Sequence, residues 1–161
     1  MSFAISIDEN LPPAEFYAEL ADAAKAMLAG ETNAIANAAN LSALIYASVA
    51  DLNWAGFYLF DGNELVVGPF QGLPACVRIA LGRGVCGTAA AERRTIRVDD
   101  VDAFDGHIAC DSASRSELVI PLVKNEKLLG VMDLDSPSPA RFNLEDEKGL
   151  SMLANLWLAS A

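Results

Sequence analysis

Positive charge is scarce in this sequence: 11 lysines and arginines stand against 22 aspartates and glutamates, a net charge of −11. Affinity for nucleic acid comes from cations neutralising phosphates, so this balance excludes nucleic acid as the main partner. It excludes an anionic membrane surface for the same reason. Long apolar runs are also missing, and nothing approaches the roughly 20 residues a membrane helix needs. The first residues, MSFAISIDENLPP, carry neither a basic start nor an extended apolar stretch, so no secretory signal is expected. These absences point to a soluble, cytoplasmic protein. There is one histidine, and the three cysteines are an odd number in what would be a reducing setting, which fits poorly with a structural disulfide framework. Repeats, linkers and low-complexity tracts are lacking too.

What is present is enough apolar content, 53% of 161 residues, for one domain with a real core. After Pro12 and Pro13, Phe16, Leu20, Ala23, Ala24 and Met27 recur at helical spacing, with Gly30 as a stop. A second helix is expected from Thr32 as N-cap, turning Ile35, Ala38, Leu41, Ile45 and Val49 inward. Then the period changes. NWAGFYLF from Asn53 precedes Asp61-Gly62, a hairpin-turn signal, and ELVVGPF returns as its partner strand. Residues 76–81 alternate weakly as a further strand, followed by the glycine-rich GRGVCGTAAAERR, a loop running into a short helix, and by a small strand at 95–98. Residues 99–116 form a long loop, and long loops in compact domains are usually functional. Strands at 117–123 and 127–135 are joined by a short turn. A last helix capped by Asn143 buries Leu144, Leu150, Leu153 and Trp157. The class is α+β: a central, mostly antiparallel sheet flanked by N- and C-terminal helices.

Strand side chains alternate between faces, so parity sorts them. Ala55, Phe57 and Leu59 share one face with Leu118, Ile120, Leu122, Leu128, Gly130, Met132 and Leu134. The opposite face carries Trp54, Gly56, Tyr58, Glu117, Val119, Pro121, Leu129, Val131, Asp133 and Asp135. That second face either meets solvent, as antiparallel sheets commonly allow, or binds a cation. Asp suits strands poorly, and two aspartates at i and i+2 repel each other, a cost that a bound metal or ammonium group would offset.

Cys76, Cys86 and Cys110 each sit within two residues of Gly, Pro or Asp rather than within an apolar run. They are inert buried thiols, a zinc site completed by His107, or a redox set in which one thiolate attacks and another resolves. No CxxC pair supports zinc. Gly82-Arg83-Gly84-Val85-Cys86-Gly87 fits a GxGxxG pattern but does not open a βαβ unit, so nucleotide binding is discounted. The aspartates 99, 100, 102, 105 and 111 lack calcium-loop spacing and read as a solvated acidic loop.

In order and spacing, NWAGFY, GPFQGLPACVRI, GRGVCGTAA, GHIACDSASRSE and GVMDLDSPSPARF resemble the free methionine-(R)-sulfoxide reductases, a family of GAF-domain enzymes. The resemblance implies a single GAF domain over 1–161 that reduces free methionine-(R)-sulfoxide with no metal or organic cofactor. By the same resemblance Cys110 is the nucleophile, Cys76 the principal resolving cysteine, and Cys86 an additional or alternative disulfide partner. Trp54, Tyr58, Glu117, Asp133 and Asp135 hold substrate, and they all fall on the face selected by parity. Thioredoxin is the implied reductant and a homodimer the implied assembly. Glu117, crowded by other carboxylates, is the expected acid, with Asp135 sharing proton transfer. The aspartates would hold the substrate ammonium, backbone N–H groups of the glycine-rich and Cys110 loops its carboxylate, and Trp54 and Tyr58 its methyl end. The rival expectation is a non-catalytic GAF module that binds an amino acid or senses redox state.

Overall fold

In the computed structural model, which describes residues 7–108 and 110–161, the chain runs through four α-helices and six strands. Part of the N-terminal segment read against a secretory signal lies outside the described residues. Helix α1 (Pro13–Leu28) starts on the expected prolines. The cap of α2 (Ala34–Ser48) is Asn33 rather than Thr32, because the Asn33 carboxamide oxygen accepts from the N–H groups of Ile35 and Ala36. Ile35 is consequently in the first exposed turn, not the core, and Leu144 is exposed for the same reason at the start of α4 (Leu144–Ser160). Asn143 caps α4 as expected, in a reciprocal capping box with Asp146.

The strands β1 (Trp54–Phe60), β2 (Glu64–Gly72), β3 (Arg78–Ala80), β4 (Ile96–Val98), β5 (Ser116–Lys124) and β6 (Lys127–Ser136) form one sheet. Its order is β3-β2-β1-β6-β5-β4, and every neighbouring pair is antiparallel. The third strand is shorter than its alternation suggested, so Cys76 precedes it in a loop. Between β3 and β4 comes α3 (Gly84–Glu92), the short helix expected after the glycine-rich stretch.

The sheet separates two apolar clusters. Ala55, Phe57, Leu118, Ile120, Leu122, Met132 and Leu134 pack against α1, α2 and α4. On the opposite face Trp54, Tyr58, Val119 and Val131 pack against Val85, Cys86, Ala89 and Ala90 of α3. That face is therefore covered rather than left to solvent. In the three strands sorted by parity, β1, β5 and β6, it fails at one place. The β5–β6 register slips between Leu122 and Val123, whose partners are Gly130 and Leu128, so Leu129 is the extra residue. As a result Leu129 packs against the helical core and Leu128 against the α3 side, the reverse of strict alternation.

Candidate active site

Sheet register builds the floor of a cleft. Asp135 lies opposite Trp54 on β1 and opposite Glu117 on β5, so these three residues form one row across three adjacent strands. Directly opposed side chains in a sheet are separated by about 4.5–5.5 Å at Cβ, which forces the carboxylates of Glu117 and Asp135 together. Asp133 stands two residues along β6 on the same face and faces Gly56, which has no side chain. Trp54 is stacked between Phe70 and Tyr58, with centroids 5.1 and 5.7 Å away. The walls come from α3, from residues 73–75, and from the loop holding His107, Cys110 and Asp111; together they bound a partly open space of about 520 Å³.

Cys76 and Cys110 are bonded to each other at the cleft, with 5.4 Å between their Cα atoms. This leaves Cys86 as the free cysteine, buried on α3 with its thiol 3.8 Å from Glu117 Oε1. A zinc site built from all three cysteines and His107 is not formed. His107 instead brings Nε2 to 3.8 Å from Glu117 Oε2. The Tyr58 hydroxyl donates to the Cys76 carbonyl at 3.1 Å, fixing the loop that carries one half of the disulfide.

Burial and like charge dominate the electrostatics. Asp133 is 5% exposed, and desolvation pushes its carboxyl up from 3.8 to about 6, opposed by hydrogen bonds to Cys86 and Glu117. Glu117 is pushed well above the usual carboxylate range by burial first and by the charges of Asp133 and Asp135 second. Asp135 is raised by desolvation, then by Asp133 and Asp111. Burial, followed by the same carboxylates, also raises the Cys86 thiol and the Tyr58 hydroxyl. Burial, with crowding added at Glu117 and Asp135, thus makes all three floor carboxylates hold their protons to higher pH than free carboxylates do.

Two polar atoms here have no partner although they are buried: the Trp54 indole N–H and Asp133 Oδ1. Buried polar groups are as a rule hydrogen-bonded, and the one further unmatched buried side-chain atom among the described residues, Asn53 Oδ1, is not on the cleft lining, so an unmatched donor and acceptor lining one cleft mark a place for a polar ligand. Cys86 Sγ and one oxygen each of Glu117 and Asp133 lie within 4.8 Å of one another, a spacing suited to a shared cation. At the other side of the cleft, Arg83, Gly84 and Val85 open α3, whose N-terminus has no side-chain cap and no acidic residue in its first turn. Free backbone N–H groups at a helix start suit an anion.

All eight residues singled out in the sequence line this cleft or, for Cys76, join it through the disulfide. Asn53, Asp111 and Ser114 were not singled out. Asn53 Nδ2 donates to Asp111 Oδ2 at 2.9 Å and to Ser114 Oγ at 3.0 Å, tying the Cys110 loop to the start of β1. Pattern gave no signal for this, because Asp111 looked like one more charge in an acidic loop.

A curled antiparallel sheet with a ligand cleft on the face opposite its N- and C-terminal helices is the form of a GAF domain, and residues 34–157 match the GAF domain family. The Escherichia coli free methionine-R-sulfoxide reductase is 56% identical over 139 residues, covering 86% of this chain and 84% of that one. The chain belongs to the free methionine-R-sulfoxide reductase family. Among solved structures, the Neisseria meningitidis free methionine-R-sulfoxide reductase in complex with its substrate has a TM-score of 0.89 at 41% identity, covering 99% of this chain and 93% of its own. A Burkholderia vietnamiensis protein described as a GAF sensor has a TM-score of 0.91 at 59% identity, covering 94% and 96%.

Proposed function

We propose that all 161 residues act as one GAF unit that reduces free L-methionine-(R)-sulfoxide to methionine. The observation that carries this is the Cys76–Cys110 disulfide beside a floor of three carboxylates whose pKa values are all raised by burial and two unmatched polar atoms. A disulfide is what remains after a cysteine has reduced a sulfoxide and been resolved.

In the reduced protein the Cys110 thiolate attacks the sulfoxide sulfur. Glu117 protonates the sulfoxide oxygen, which passes to Cys110 as its bond to the substrate sulfur and the transient bond between the two sulfurs break, leaving methionine and a Cys110 sulfenic acid. Cys76 then condenses with the sulfenic acid, forming the disulfide and water. A thioredoxin dithiol exchanges the bond away and is itself oxidised. Asp133 Oδ1 and Asp135 hold the substrate ammonium, with Asp135 assisting proton transfer. The uncapped start of α3 receives its carboxylate. Trp54 and Tyr58 wall the methyl end. Cys86 shares its hydrogen bond with Glu117, and it serves as the alternative partner for Cys110. We place the reaction in the cytoplasm, with the chain as a homodimer.

The test is turnover of free methionine-R-sulfoxide against the S epimer with dithiothreitol and with thioredoxin. Consumption of the R epimer alone supports the reading, and failure on both epimers sinks it. A non-catalytic module that binds an amino acid, the alternative in keeping with the described sensor relative, predicts a Cys110→Ser chain with function intact. The reductase reading predicts abolished turnover with ligand binding largely kept.

A further inference from the structure

We propose that Asn53 is a positioning residue that clasps the Cys110 loop to the sheet in the reduced form of the protein, an inference that rests on Cys110 being the attacking thiol. In the disulfide form Cys110 is held covalently through Cys76. Reduction removes that tie before the thiolate attacks, so something else has to keep the loop over the cleft. Among the described residues, the side-chain hydrogen bonds that join residues 104–114 to the sheet or its ends both come from Asn53.

The clasp is anchored on both sides. The Asn53 backbone N–H donates to the Asp135 carbonyl at 3.0 Å, immediately before Trp54 starts β1. The partner Asp111 directly follows Cys110, and its other oxygen, Oδ1, accepts from the Ala113 N–H at 2.8 Å. Ser114 is buried, and its own N–H donates to the Asp111 carbonyl. Both amide hydrogens of Asn53 are therefore spent on a small closed turn that begins one residue after the nucleophile. Register places the same Asn53 beside the row Trp54–Asp135–Glu117, so this side chain holds the end of the loop next to the attacking sulfur, while His107 near Glu117 and the packed Phe104 and Ile108 hold its earlier part. Displacing a reacting group by about 1 Å can cost on the order of 100-fold in rate, which is the scale of effect such a clasp controls. The pairing also has a direction. Asn53 donates and the Asp111 carboxylate accepts, so Asn53→Asp sets two carboxylates against each other, whereas Asn53→Asp combined with Asp111→Asn restores a hydrogen bond with donor and acceptor exchanged.

Two measurements on the full chain test this. The first equilibrates the reduced protein with oxidised glutathione, forming the Cys76–Cys110 disulfide and two molecules of reduced glutathione; it needs no sulfoxide. Losing the clasp in Asn53→Ala lowers the effective concentration of one thiol at the other by about 10-fold or more. The second is steady-state reduction of methionine-R-sulfoxide, where kcat falls about 10- to 100-fold while KM stays within about twofold. Asn53→Asp is expected to be worse than Asn53→Ala on both, and the exchanged pair to recover most of the loss. The clasp is overturned if Asn53→Ala matches the wild-type chain within about twofold on both, or if the exchanged pair is no better than Asn53→Asp while melting at the same temperature. A wild-type chain that forms the disulfide yet leaves methionine sulfoxide untouched overturns the reductase reading instead, and the glutathione equilibrium still decides the clasp.

Discussion

Asp133 carries the sharpest conflict between stability and use of any residue in the cleft. It is buried, one of its oxygens has no partner, and its carboxyl is held up at about 6 instead of 3.8. The folded chain thus keeps a proton that the unfolded chain releases at lower pH. This group's contribution to stability is complete below about pH 4, falls as pH rises towards about 6, and stays lost above that. Asp133→Asn removes the penalty, so thermal melts should show the variant more stable by on the order of 1–3 kcal/mol near neutrality and the difference shrinking towards about pH 4. The same variant should lose methionine sulfoxide affinity, read by calorimetry, by at least about 10-fold because the ammonium loses a charged acceptor. A substrate ammonium among these carboxylates should also make Cys110 easier to ionise. Thiolate absorbance titrated on the reduced chain should move to lower pH when methionine is added, and an unchanged curve removes the idea.

Elements place these residues with different degrees of legibility. The faces of β1, β5 and the second half of β6 could be read from alternation because each has one purely apolar side. Reading stopped at Leu128 and Leu129, where a bulge inserts a residue and strict period-2 counting reverses the faces. A bulge is a property of two paired strands, so neither strand's pattern announces it. Helix caps behaved similarly. The Asn143 capping box is local and was readable, whereas Thr32 and Asn33 are both good caps and only the chain path selects Asn33. At the helix layer, Gly149 of α4 lies flat against the Tyr17 ring, whose hydroxyl donates to the buried Asp146 at 2.7 Å. Gly149→Ala drives a methyl group into that ring. The expected loss is about 1–3 kcal/mol in urea denaturation, with kcat per folded molecule unchanged because the contact lies on the helical face away from the cleft.

At the scale of the whole molecule, a sheet backed by α1, α2 and α4 on one face carries the cleft and α3 on the other. The disulfide joins two segments on the cleft side, the 73–77 loop and the 104–114 loop, 34 residues apart in sequence. Reducing it should raise amide exchange across both loops while β1, β5 and β6 remain protected, and equal protection in the two states would argue against loop release. No helix among the described residues is long and apolar enough to cross a membrane, in keeping with the short apolar runs of the sequence. The charge of −11 divides into a small buried share, Glu117, Asp133 and Asp146, and a larger share spread over exposed loops and helix ends. By itself the sequence determined the α+β class, the helix and strand order and, apart from Leu128 and Leu129, the residues of the apolar face and of the face opposite. Those follow from periodicity and local capping, which act over a few neighbouring positions. Which cysteines pair, which carboxylates crowd one another, and how Asn53 reaches Asp111 depend on strand register and loop closure between residues tens of positions apart. Such distances are set only when the sheet has formed, and so the tertiary structure decided them.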